Sequence, residues 1–206
     1  MVSDTSSDAQ GDDLSSNSLD PTQPPPNLPL PLQGEGPRAN IRMPTAYLSL
    51  GSNIQPESNL RSAIAALRER FGDVVLSPVY RTRPVGFDGA DFLNAAAILD
   101  TDLEPLELND WLHALEDAHG RDRSGPRFGD RSLDIDLVFY DDLVLSGPGH
   151  LAIPRDELRH AFVLKPLADI APDFVDPRSG RTLASLWAAS PERGQRLDEV
   201  RDFGRD

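Results

Sequence analysis

Two alternation patterns of hydrophobic and polar residues lay out the elements of this chain. Ala46-Tyr47-Leu48-Ser49-Leu50 is a short apolar run that predicts a buried strand, with Gly51-Ser52-Asn53 as the turn after it. From 56 to 71 the period changes to that of a helix: Leu60, Ala63, Ile64, Leu67 and Phe71 fall on one stripe. Pro56 suits the first turn of that helix and Gly72 its end. Residues 74–81 read as a second strand. Pro84, Gly86 and Gly89 punctuate a loop over 82–91, and 92–99 read as a third strand. A second helix is predicted over 104–119, with Leu108, Trp111, Leu112 and Leu115 inward and Gly120 just past its end. Leu133, Ile135, Leu137 and Phe139 then alternate with Asp134 and Asp136, which predicts a fourth strand. A short acidic hairpin is expected near Asp141-Asp142, and a C-terminal helix over 182–189. Strand, helix, strand, strand, helix, strand is the order of a split βαβ unit. The fold class expected is α+β, ferredoxin-like: an antiparallel sheet with both helices on one face and a short C-terminal extension.

Composition sets the boundaries of that unit. Residues 1–44 are Ser/Asp-rich and then Pro-rich, with the run Pro24-Pro25-Pro26, and bury too little apolar surface to offset ordering entropy. They are expected to be a disordered tail, and Met43, just before the first strand, stands where a start residue would. Residues 45–190 are expected to be the folded domain and 191–206 a polar tail. At 206 residues and 38% hydrophobic, the chain can bury one good core.

The net charge of −14 argues against a general nucleic-acid binder and against an anionic membrane surface as partner. An RNA-binding domain of the same topology would need a basic face with exposed sheet aromatics. The absence of cysteine removes disulfide and thiol chemistry. No apolar run approaches the roughly 20 residues that span a bilayer, and the N-terminus lacks a basic region followed by an apolar one. These features together predict a cytoplasmic enzyme.

An acidic protein that handles a polyphosphate must gather positive charge locally, and the stretch before the fourth strand does so. Arg121, Arg123, Arg127 and Arg131 lie in a loop broken by Gly120, Gly125, Pro126 and Gly129. Asp134 and Asp136, two apart on a strand, project to the same side. Two such carboxylates repel unless a cation lies between them. Hard oxygen ligands suit magnesium, which takes one or two protein carboxylates and completes its shell with water and phosphate oxygens. Arginine is the natural complement to phosphate. Asp134 and Asp136 alone read first as a half-exposed strand with an acidic polar face. The adjoining arginines turn the reading toward ATP chemistry.

Five stretches carry a resemblance over some 125 residues: Tyr47-Leu48-Ser49-Leu50-Gly51-Ser52-Asn53, Val79-Tyr80-Arg81-Thr82, Asp91-Phe92-Leu93-Asn94-Ala95-Ala96, Arg127-Phe128-Gly129-Asp130-Arg131-Ser132-Leu133-Asp134-Ile135-Asp136 and Phe162-Val163-Leu164-Lys165-Pro166-Leu167. In these the chain resembles the hydroxymethyldihydropterin pyrophosphokinase family. The resemblance implies transfer of the pyrophosphoryl group of ATP to the hydroxymethyl oxygen of 6-hydroxymethyl-7,8-dihydropterin, releasing AMP. It implies ATP as co-substrate and two Mg2+ ions, held by Asp134 and Asp136. It implies catalytic roles for Arg121 and Arg131, and contacts to the nucleotide from Glu116, Arg121, Arg123, Arg131, Arg155 and His160. Phe92 and Phe162 match the two aromatic residues that sandwich the pterin. Asn94 matches an amide that reads its edge, and Thr82 and Val85 fall where the loop backbone meets it. Without the resemblance, Phe92 and Phe162 would read as core packing and Glu116 as a surface helix charge.

The chain departs from the common family pattern in places. Arg155 stands where histidine is frequent, and His160 where arginine is frequent, in a segment one residue shorter. Asp130 replaces a frequent proline and Phe128 a frequent tryptophan. Arg155 and Arg159 keep the segment cationic. Two functions remain open at this point: the active pyrophosphokinase, and a catalytically weakened relative that binds a pterin or nucleotide as a regulatory module. The enzyme is expected to act as a monomer on small molecules.

Overall fold

The computed structural model of the protein describes residues 42–121, 129–146, 151–201 and 203. Arg123, Arg127 and Phe128 of the arginine loop, and residues 1–41 of the N-terminal tail, lie outside the described residues. The elements follow the expected order: β1 (Thr45–Ser52), α1 (Pro56–Phe71), β2 (Val74–Leu76), β3 (Val79–Thr82), β4 (Phe92–Asp100), α2 (Pro105–Ala118) and β5 (Asp134–Tyr140).

Helix limits follow from local chemistry. Pro56 begins α1, where a missing N–H loses no bond. Gly72 ends it at a φ of 80°, and its N–H donates to the Arg68 carbonyl at 2.9 Å. α2 opens with a capping box: the N–H of Glu104 donates to the Glu107 carboxylate at 3.0 Å.

One expected element is divided. Residues 74–81 read as one strand, but Pro78 has no N–H to give the ladder and splits it into β2 and β3. Both halves pair with β4. At the break, Ser77 N–H donates to Ala96 O at 3.0 Å. The Ser77 hydroxyl accepts from Ala96 N–H at 2.8 Å, so a side chain completes what the backbone cannot.

The main sheet is antiparallel, in the order β5-β1-β4-β3-β8, with β2 also against β4. β8 is Asp198–Val200, at the edge beside β3. Residues 191–206 were expected to be a polar tail. Part of that segment is instead a 3-10 turn, Pro191–Gly194, followed by a strand of the sheet. Edge pairing needs only backbone groups, so a strand as polar as Asp198-Glu199-Val200 leaves no hydrophobic pattern to read.

Side chains alternate across the sheet. Leu48, Leu50, Leu93, Ala95, Ala97, Leu99, Ile135 and Leu137 pack against α1 and α2 as one core. The expectation of both helices on one face holds for these two. The opposite face is not bare, because Tyr47, Ala96, Val138 and Phe139 are apolar there. They are covered by α3 (Ala161–Ile170) and α4 (Leu183–Ala188), through Val163, Leu164, Leu167 and Leu183. Each fully buried leucine contributes on the order of 1.5–3 kcal/mol. Removing one, as in Leu112→Ala in α2, would cost about 2–5 kcal/mol.

Phe139 was expected in the row of Ile135 and Leu137. A bulge moves it: Leu48 pairs with Leu137 and Tyr47 with Phe139, leaving Val138 as the extra residue. From there the strand changes face, and Phe139 packs against Tyr47 and Phe174 under α3 and α4 while Tyr140 joins the α1/α2 core. Before the bulge, β5 still presents Asp134 and Asp136 on the α3 side. β6 (Leu145–Ser146) and β7 (Ala152–Ile153) form a small separate hairpin, and a 3-10 turn, Asp156–Arg159, leads into α3.

Candidate active site

The opposite face of the sheet is apolar where α3 and α4 cover it and polar beyond them. Strand register aligns the polar part. Asp134 on β5 lies opposite Gly51 on β1, which lies opposite Asn94 on β4. In the next row of the same face, Asp136 faces Ser49. Asp134 and Asn94 are therefore separated by two strand spacings, roughly 10 Å. Above these rows lies a cleft of about 490 Å³. Its floor is Ser49, Gly51 and Asn94, and its walls come from the loop after β3, the end of the arginine loop, the 3-10 turn and the start of α3.

Gly51 keeps the floor open. A Cβ there would meet Asn94 Oδ1 at 3.1 Å and the Phe92 ring at 3.8 Å. Asn94 is nearly buried, and its amide donates to the Thr82 hydroxyl at 2.8 Å. That bond orients the remaining amide groups along the floor. Phe92 and Phe162 both line the cleft, as do Thr82 and Val85. Phe87, which the sequence reading did not single out, adds an edge-on ring 6.3 Å from Phe92. His160 stacks on Phe162 with ring centroids 5.2 Å apart and an interplanar angle of 8°.

The carboxylate end is built around guanidinium groups. Asp134 is paired with Arg121, and Asp136 with Arg155. Arg121 also donates to Glu116 at 2.7 Å and to the Leu133 carbonyl at 3.1 Å. Glu116 is 2% exposed and does not line the cleft; it accepts the Ile135 N–H at 2.8 Å from behind the strand. The surface-charge alternative for Glu116 is thereby excluded. Arg131 lines the cleft, and its backbone N–H donates to Asn53 Oδ1 at 2.6 Å. Asn53 also donates to the Asp130 carboxylate at 2.7 Å and to the Ala90 carbonyl at 3.3 Å, tying the loop before β4 to the loop before β5.

Burial, reinforced by the charge of Asp134 and only partly opposed by Arg155, pushes the Asp136 carboxyl up to about 6. The Arg121 pKa is raised too, but in an arginine a rise favours the charged form. Burial works against its charge, but Asp134 and Glu116 outweigh it and raise its pKa. Asp136 is thus a carboxylate short of positive charge even with an arginine beside it. Among the described residues, no three His, Asp or Glu side chains converge. The donor set still fits a hard divalent cation that takes two carboxylates and leaves its remaining positions to ligand oxygens and water.

Eleven of the residues expected at the site line this one cleft: Thr82, Val85, Phe92, Asn94, Arg121, Arg131, Asp134, Asp136, Arg155, His160 and Phe162. Arg123 lies outside the described residues. Sequence reasoning missed Phe87, Glu157 and Arg83, which also line the cleft. Their loops carry no periodic signal, and only the closure of the fold brings them in.

The sequence has relatives among known proteins. Residues 47–172 match the family model described as 7,8-dihydro-6-hydroxymethylpterin-pyrophosphokinase. A 2-amino-4-hydroxy-6-hydroxymethyldihydropteridine pyrophosphokinase of Synechocystis sp. is 43% identical over 145 residues, covering 68% of this chain and 73% of its own. The protein of the same name from Pseudomonas aeruginosa is 42% identical over 154 residues, 72% of this chain and 93% of its own. The folic acid synthesis protein fol1 of Schizosaccharomyces pombe is 34% identical over 157 residues, 74% of this chain but only 21% of that longer protein. Among solved structures, the Plasmodium falciparum HPPK-DHPS wild type with SDX-DHP superposes with a TM-score of 0.54 at 15% identity. The match covers 70% of this chain and 43% of that one, so this chain spans less than half of it. At such identity the likeness concerns the fold.

Proposed function

Because this chain belongs to the 7,8-dihydro-6-hydroxymethylpterin-pyrophosphokinase family, we propose that it transfers the pyrophosphoryl group of ATP to the hydroxymethyl oxygen of 6-hydroxymethyl-7,8-dihydropterin. AMP leaves, and the product enters folate biosynthesis. The observation that carries this reading is the single cleft with an aromatic, amide-floored end and a carboxylate–guanidinium end, roughly 10 Å apart by strand register. A flat heterocycle and a triphosphate fit those two ends in that order.

At the aromatic end, Phe92 and Phe162 offer apolar faces to the pterin, and offset stacking favours a flat ring. Asn94, held by Thr82, offers a donor and an acceptor to its edge. At the other end, Arg121, Arg131 and Arg155 contact phosphate oxygens and neutralise charge that develops as the β-phosphorus is attacked. Magnesium held by Asp134 and Asp136 would supply further charge neutralisation and orient the phosphates. The resting pairs Arg121–Asp134 and Arg155–Asp136 support this reading, because they store the cations beside the triphosphate position. Their guanidiniums exchange a carboxylate for a phosphate when substrate arrives.

Arg121, Arg131, Asp134 and Asp136 are all present, and no observation favours a regulatory module. None of the described helices is long and apolar enough to cross a membrane. A coupled assay for AMP, with ATP and 6-hydroxymethyl-7,8-dihydropterin supplied together and separately, tests the proposal. AMP formation that requires both substrates and magnesium is expected. AMP formation without the pterin, or none at all from the intact protein, would refute it.

A further inference from the structure

The family match ends at residue 172, yet a residue well beyond it touches the wall of the cleft. Glu192 lies in the 3-10 turn Pro191–Gly194, where the Ser190 hydroxyl accepts its N–H at 3.2 Å and sets the turn. Its two carboxylate oxygens take different partners. One lies 3.1 Å from His160 Nδ1, and the other accepts the Ala161 N–H at 2.6 Å. Ala161 is the first residue of α3, and its N–H is one of the four that a helix leaves without an internal partner. A carboxylate at that end also meets the positive pole of the helix.

Phe162 is the next residue, and the His160 ring lies parallel to it. Both rings line the cleft. Three residues beyond the turn the same segment becomes β8, whose Asp198 pairs with Arg81, the neighbour of Thr82. The C-terminal segment thus braces the two sides of the aromatic end.

We infer that Glu192 is a positioning residue for the pterin. Through His160 and the first N–H of α3, it holds the Phe162 ring at the angle that a flat heterocycle stacks upon. The inference rests on the reading of the Phe92–Phe162 end as the pterin site. It predicts that a residue outside the family-matched segment sets pterin affinity without touching the phosphate end.

Steady-state kinetics of the full chain test it, with ATP and 6-hydroxymethyl-7,8-dihydropterin varied in turn. Glu192→Ala is expected to raise the KM for the pterin about three- to tenfold, the worth of a misplaced aromatic contact. Turnover and the KM for ATP should stay within about twofold, since the loss is confined to binding. Glu192→Gln keeps an acceptor for the Ala161 N–H and should recover most of the loss. An unchanged pterin KM in Glu192→Ala would overturn the inference. So would a fall in turnover with both KM values shifted alike in both variants, which is the mark of a general structural defect. Phe162→Ala, measured alongside, separates the two levels. If Phe162→Ala raises the pterin KM and Glu192→Ala does not, only the role of Glu192 fails. If neither changes it, the pterin site itself is misassigned.

Discussion

Glu116 holds Arg121: they are joined at 2.7 Å, and the same guanidinium nitrogen reaches Asp134 in the cleft. The same oxygen of Glu116 accepts the Ile135 N–H at 2.8 Å. A buried carboxylate on α2 therefore fastens the strand that carries Asp134 and Asp136, and aims an arginine at them. Glu116→Ala would leave a strand N–H and part of a guanidinium unsatisfied behind the sheet. We expect a loss of about 2–4 kcal/mol in stability, read by chemical denaturation, together with a clear fall in turnover. Glu116→Gln, which keeps an acceptor for Ile135, should lose turnover but much less stability. Equal stability of the alanine variant and the parent would show that the bond to Ile135 contributes nothing.

Asp134→Ala and Asp136→Ala should leave the fold intact, since both side chains point away from the α1/α2 core into the cleft. Each should cost on the order of a thousandfold in turnover or more, because the proposed magnesium site and the arrangement of the arginines both depend on the carboxylates. Circular dichroism checks the fold and AMP release checks the rate. Near-parental turnover of Asp136→Ala at saturating magnesium would remove it from the proposed metal site.

The raised pKa of Asp136 has a consequence for stability. The unfolded carboxyl titrates near 3.8 and the folded one at about 6. Between those values the folded state holds the extra proton, so stability falls as pH rises from about 4 to about 6. Below the window the group is neutral in both states; above it, the cost of the buried charge is fully present. Asp136→Asn removes the titration. Relative to the parent, the variant should gain roughly 1–3 kcal/mol on going from pH 4 to pH 7. Denaturant titrations of both proteins at the two pH values give the difference. A difference that does not change with pH would mean that Asp136 titrates normally.

How far the sequence disclosed this site varies from residue to residue. α1 was readable to both ends because Pro56 and Gly72 mark them with backbone chemistry rather than with pattern. Asp134 and Asp136 were readable because a two-residue spacing on a strand needs no knowledge of the rest of the fold. Phe139 was misplaced because the bulge at Val138 is an agreement between two strands, which neither strand shows alone. On pattern alone Glu116 looks like any helix carboxylate, and only the family resemblance singles it out; its burial arises only when β5 closes over α2. Residues 191–200 looked like a polar tail because a turn and an edge strand rest on backbone bonds and one carboxylate rather than on apolar burial.

Phe162→Ala should weaken pterin binding by roughly 1–3 kcal/mol, through lost stacking and apolar contact. ATP affinity should change far less, since Phe162 belongs to the aromatic end of the cleft. Calorimetry with 6-hydroxymethylpterin, and separately with a non-hydrolysable ATP analogue, distinguishes the two. Loss of nucleotide binding with pterin binding kept would reverse the orientation of substrates in the cleft.

Arg155 and His160 lie five residues apart, yet they have different neighbours in the cleft. Arg155 is paired with Asp136 at the carboxylate end. His160 is held by Glu192 and stacks on Phe162 at the aromatic end. Arg155→Ala should therefore act on ATP, raising its KM or lowering turnover by about ten- to a hundredfold, the worth of one charge-assisted phosphate contact. It also strips the cation from Asp136, which deepens the effect on turnover. His160→Ala should act mainly on the pterin KM, by less than about tenfold, because a lost ring-on-ring contact is worth about 0.5–1.5 kcal/mol. Kinetics with ATP and 6-hydroxymethyl-7,8-dihydropterin varied in turn separate them. If His160→Ala proves the more damaging toward ATP, the 3-10 turn faces the triphosphate with its histidine, and Arg155 serves only to hold Asp136.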